Sequence, residues 1–166
     1  MERIVLDEKY WIYLQRKFPD RPPAVLQSQT DEVLKYLYLV SLAPRAGLPL
    51  LVTGDLDDIW HHLIMETQAY ARLCAALPSG KFLHHSSNDY PGEQTSESPE
   101  ASIQWELLLY ANYVHIFGPF TEQTVHHWPG TTRLMQAAKL SSLEGLNDYL
   151  VAIVQPLPAA TTTPMC

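Results

Sequence analysis

From Asp55 to about Leu77 the chain reads as one long amphipathic helix, and the rest has to be arranged around it. On a wheel drawn at roughly 100° per residue, Ile59, Leu63, Thr67, Tyr70, Cys74 and Leu77 fall on one side, with Trp60 at its margin. Gly54 breaks the chain ahead of it, Asp55 suits the cap, and Pro78-Ser79-Gly80 ends it. His61 falls on the opposite side with Asp57, Met65, Gln68 and Arg72, while His62 sits on the boundary near Asp58. The turn then delivers a second pair, His84-His85, so two of the chain's three His-His doublets lie between Asp55 and His85.

The remaining segments repeat the helical period. Asp7–Phe18 carries Tyr10, Trp11, Leu14 and Phe18 at helical spacing until Pro22-Pro23 stops it. A second helix is predicted from an Asp31 or Thr30 cap to about Ala43, with Val33, Leu34, Leu37, Tyr38 and Leu42 on its apolar face. Residues 101–117 form a helix that is apolar nearly all round, and a shorter piece starts at Thr121 and ends at Trp128. Two more helices cover about 131–140 and 143–154. Leu50–Thr53 is apolar, but no other run has the alternation a partner strand would need, so it leads into the long helix. The expected fold is all-α, a single compact domain of about six helices over residues 1–154. Residues 86–99, polar and punctuated by Gly and Pro, are expected to form a long mobile loop, and the low-complexity tail 155–166 to be disordered.

Composition removes several function classes. With 166 residues, 46% hydrophobic and 17% charged, the chain can bury a substantial core. A net charge of −7 without a Lys/Arg stripe argues against nucleic acid and against an anionic membrane surface. The start, MERIVLDEKYW, lacks the apolar stretch of a signal peptide, and no run of about 18 apolar residues spans a bilayer. Two cysteines, Cys74 and Cys166, offer no disulfide framework, and Cys74 reads as core; a cytoplasmic location is expected. No nucleophile elbow, phosphate-binding loop or dinucleotide fingerprint is present.

The chemistry-bearing residues are the histidines. Neighbours on a helix diverge, so each doublet, His61-His62, His84-His85 and His126-His127, has one member to offer a shared site. Three imidazoles suit an open catalytic zinc or iron centre. Asp57 and Asp58 stand one turn before His61 and His62, and each would ligate or orient its imidazole, so spacing alone leaves open which member of each of the three doublets joins them. The plain alternative is an ordinary i,i+4 pair with no metal. Gln104, Asn112 and His115 form a narrow polar stripe on the apolar helix 101–117, which either faces solvent or, with Trp60, lines a pocket for a small molecule.

Asp57-x-x-Trp60-His61, Thr67-x-x-Tyr70-x-x-x-Cys74 and Gly80-x-Phe82-Leu83-His84-His85 together resemble the bacterial glycine-rich domain-containing protein-like family. Tyr110 to Phe117-Gly118-Pro119 and Trp128-Pro129 are similar to its closing segment, so the resemblance covers about residues 50–130. It singles out His61 over His62 and marks His84 and His85, but it implies no general reaction. Ser86-Ser87 and a long polar loop stand where the family pattern often carries Pro.

Two functions of different kinds follow. In the first the protein is a small enzyme of a biosynthetic pathway: His61, His84 and His85 act as ligands or acid/base groups, Tyr70 supplies a hydrogen bond, and a small molecule is the substrate. In the second it is a non-catalytic interaction module in which Trp60 and His61 clasp Phe82 and His84; a metal carrier without turnover is a third reading. Geometry is demanding for any shared site. His61 lies 16 residues before Leu77, about 24 Å along a straight helix. His84 follows Leu77 by seven residues, at most roughly 25 Å when fully extended.

Overall fold

In a computed structural model of the chain, residues 5–42, 52–85 and 99–153 are described, apart from the side chains of 99–102. Among these residues there are seven α-helices, a 3-10 turn and no strand, so the fold is all-α. The predicted loop 86–99, save Pro99, and the tail 155–166 lie outside the described residues. No helix among the described residues is long and apolar enough to cross a membrane. The helices gather into two units, one of residues 1–41 and 52–84, the other of 42–51 and 85–166.

The first unit begins with α1 (Glu8–Lys17), capped by the Asp7 carboxylate accepting from the Tyr10 amide at 2.8 Å. The Pro pair does stop α1, but it also starts the next helix: α2 runs Pro23–Leu42, well ahead of the predicted Thr30 or Asp31 cap. Proline is at ease in the first helical turn, where its missing N–H has no partner to lose. The extra turns bring Leu26 and Gln29 into the buried face with Thr30, Val33, Leu34 and Leu37.

The predicted long helix is not one helix. It is α3 (Gly54–Met65) followed by α4 (Thr67–Ala76), separated at Glu66, whose φ of −89° and ψ of 66° leave the helical region. The buried residues explain the break. Leu56, Ile59, Trp60 and Leu63 repeat as i, i+3, i+4, i+7, and so do Tyr70, Leu73, Cys74 and Leu77. A straight helix would put Glu66 and Thr67 on the stripe between them, burying a carboxylate; both are exposed instead. The Tyr10 hydroxyl donates to the Leu63 carbonyl, which the interrupted helix no longer uses in the regular way. Trp60 Nε1 donates to the Tyr70 hydroxyl at 2.9 Å. Residues ten apart on a straight helix are separated by about 15 Å along the axis, so that bond requires α4 to turn back toward α3.

The second unit is built on α5 (Pro99–Phe117), a 3-10 turn at Val125–His127, α6 (Gly130–Ala137) and α7 (Leu143–Ile153). α5 packs on α7 and α6. Tyr110, Tyr113, Phe120 and Trp128 form an aromatic core, with Tyr113 and Phe120 stacked at 4.1 Å. The Asn147 amide bonds both the N–H and the C=O of Phe120, at 2.8 and 3.0 Å, and so fixes the turn after α5 to α7.

Candidate functional site

Asp57 lies in the first turn of α3 and His61 one turn later, as the sequence spacing requires. His61 Nδ1 donates to the Asp57 main-chain carbonyl at 2.8 Å, and the Asp57 carboxylate lies 3.4 Å from the same nitrogen. A carbonyl can only accept, so a neutral His61 ring carries its lone pair on Nε2.

The chain that follows α4 returns toward this turn. Tyr70, fully buried, donates its hydroxyl to the Leu83 carbonyl at 2.8 Å while accepting from Trp60. Phe82 lies edge-on to the Tyr70 ring at 5.1 Å and against His84 at 4.9 Å. Residues 82 and 84 share a side, as residues two apart do in a non-helical run, and His85 points elsewhere. One ligand atom each from Asp57, His61 and His85 lie within 4.8 Å of one another, with Asp57 and His85 half-buried and His61 exposed. Tetrahedral ligands on a metal at about 2.1 Å are about 3.4 Å apart, so the three groups would have to draw together to hold one. Asp57 and His61 belong to the first unit, and His85 directly follows its last residue.

The break at Glu66 makes this meeting feasible. With α3 and α4 as separate helices, the returning chain has no straight rod from Asp55 to Leu77 to run back along. Of each of the first two doublets, one member belongs to the cluster and the other packs. His62 lies edge-on to Phe18 at 5.1 Å and to Tyr13 at 6.4 Å, joining α3 to α1. Burial, chiefly, pushes its imidazole below the ordinary value of 6.5; Lys17 and His61 push the same way and Asp58 opposes them. His84, expected with the ligands, is outside the cluster because it rests on Phe82.

The other expected site residues are placed differently. Trp60 is only 5% exposed, so it supports the cluster from within and has no face for a substrate. On α5, Gln104 and His115 are exposed, and Asn112 is buried with its amide donating to the Leu108 carbonyl at 2.7 Å. His126 is exposed and His127 buried on the 3-10 turn, their rings 3.9 Å apart. Among the described residues, none of these histidines is in the cluster of Asp57, His61 and His85.

One contributor escaped the sequence reading. Tyr36 of α2 is buried edge-on to Trp60 at 5.6 Å, and burial, then the nearby Asp57 charge, push its hydroxyl pKa far up, so it stays protonated. A tyrosine on an apolar helical face carries no signal that distinguishes it from core. Burial likewise holds the Tyr70 hydroxyl protonated. Comparisons with protein-family models, with curated proteins and with solved structures return no match for this chain.

Proposed function

We propose that the protein is a small-molecule enzyme whose site is a divalent transition-metal centre held by Asp57, His61 and His85. The observation that carries this is the convergence of three ligand-type atoms from two separate segments to within 4.8 Å. Two imidazoles and one carboxylate are a borderline set that suits zinc or iron and leaves further positions for water or substrate. A metal there supplies Lewis acidity toward a bound oxygen. The chain's own residues do the rest: the Asp57 carbonyl orients the His61 ring, and Tyr70 ties down the segment that carries His85. The resemblance to glycine-rich domain-containing protein-like sequences supports the weight given to His61 and His85. A cytoplasmic, biosynthetic role belongs to the same reading, in keeping with the acidic charge and the two cysteines.

The test is metal analysis of protein purified without a histidine tag. About one zinc or iron per chain is expected, falling to background in His61→Ala and in His85→Ala. Protein that carries no metal and takes up neither zinc nor ferrous ion when supplied would overturn the reading.

A second reading has its own support in the bonds from Trp60 to Tyr70 and from Tyr70 to Leu83. There the motif is a clasp in a non-catalytic interaction module. Under it, His61→Ala and His85→Ala leave nothing to lose, and Tyr70→Phe simply unfolds the protein.

A further inference from the structure

Between the two ligand-bearing segments stands a single hydroxyl. Tyr70 Oη accepts from Nε1 of Trp60, the residue before His61, and donates to the carbonyl of Leu83, two residues before His85. The hydroxyl is fully buried, so water cannot replace either partner cheaply. It also has one proton, and Leu83 receives it because an indole N–H can only donate. The direction of both bonds is therefore fixed. Phe82 backs the arrangement by lying edge-on to the Tyr70 ring.

We infer that Tyr70 is a positioning residue for the metal centre, and that its hydroxyl makes Leu83 the fixed point from which the reach of His85 is set. The inference rests on the metal reading above and assigns Tyr70 no contact with metal or substrate. It turns the clasp into the frame of the site. With Leu83 anchored, only the second residue after it meets Asp57 and His61. His84, one residue after the anchor, packs on Phe82 instead.

The experiment uses Co2+ alone as the probe, followed by its visible absorption in the full chain. Wild type binds one Co2+. Tyr70→Phe, which keeps the ring and removes the hydroxyl, binds Co2+ about 10- to 100-fold more weakly. Leu73→Val, which thins packing on the same helix, lowers the melting temperature but keeps wild-type affinity. His85→Ala loses the spectrum. Inserting one glycine between Leu83 and His84 in the His85→Ala protein puts His84 second after the anchor and restores it. That rescue is made with Tyr70 intact, so it decides the matter even if Tyr70→Phe does not fold. Wild-type affinity in Tyr70→Phe, or affinity that merely follows melting temperature across Tyr70→Phe and Leu73→Val, overturns the inference. So does failure of the glycine insertion to restore binding. No Co2+ uptake by wild type is a separate outcome: it removes the metal reading itself, and this inference with it.

Discussion

Two tyrosine hydroxyls organise the two units, and they do opposite things with the charge beside them. In the second unit Tyr110 donates to Glu106 Oε1 at 2.7 Å, and Arg133 grips both oxygens of that carboxylate at 2.8 and 3.0 Å. Arg133 is thereby held more firmly protonated by Glu106, and burial pushes the Tyr110 hydroxyl up. Gly130 opens α6 directly beneath them: a Cβ there would sit 1.5 Å from Glu106 Oε1 and 2.3 Å from the Tyr110 hydroxyl. This carboxylate is taken up by protein donors. In the first unit Tyr70 bonds a carbonyl and an indole, and one ligand-type atom each of Asp57, His61 and His85 lie within 4.8 Å of one another. A carboxylate answered by a guanidinium and a phenol holds helices together, whereas the one set among imidazoles is where we propose the metal.

The largest expected effect breaks the first side of the comparison alone. His61→Ala or His85→Ala should lower metal affinity more than about 100-fold, while circular dichroism and the metal-free melting temperature stay close to wild type. Next, Gly130→Ala should destabilise by about 1–2 kcal/mol, because the Glu106 carboxylate must swing away from its bond with Tyr110. Denaturant unfolding measures this, and metal affinity should not change. A Gly130→Ala protein as stable as wild type would show that the second node is not a tight fit.

How much of this was legible in the residues differs between the two sides. Asp57 and His61 could be paired from their spacing on a helix, and the motif directed attention to the turn at His84-His85. Which member of that pair would serve was not legible, because it depends on Phe82 choosing Tyr70 and His84 as neighbours. The break at Glu66 was legible in principle: the apolar stripe lapses at Glu66 and Thr67 and resumes at Tyr70 in the same register. A wheel that counts Thr67 as part of the stripe hides it. The start of α2 at Pro23 was lost by reading the Pro pair only as a stop signal. The node at Glu106 and Gly130 had no local signal at all, since residues 24 apart in the chain meet only through the packing of α5 on α6.

Two smaller effects sharpen the picture. His62 should give the protein a pH dependence. Its imidazole takes a proton less readily when folded than the ordinary 6.5 of the unfolded chain. The unfolded state then binds more protons as pH falls, so stability present above 6.5 is progressively lost below it. Melting temperature against pH should slope downward there, and His62→Gln should flatten the slope. Smallest is Lys139→Gly. Lys139 follows α6 at a positive φ of 56°, where the Leu140 N–H reaches back to the Met135 carbonyl at 2.8 Å. Relief of the left-handed strain, less the greater freedom of glycine when unfolded, should leave a gain below about 1 kcal/mol, seen as a slight rise in melting temperature.

The most direct measurement of the central claim is X-ray absorption on Zn2+-loaded protein, with His85→Ala alongside. The expected result is one zinc per chain with scattering from two imidazoles and a nearest shell of nitrogen and oxygen at about 2.0–2.1 Å, reduced to one imidazole or lost in the variant. A spectrum of fully hydrated zinc, or one with two imidazoles unchanged by His85→Ala, would contradict the assignment of Asp57, His61 and His85 as a metal centre.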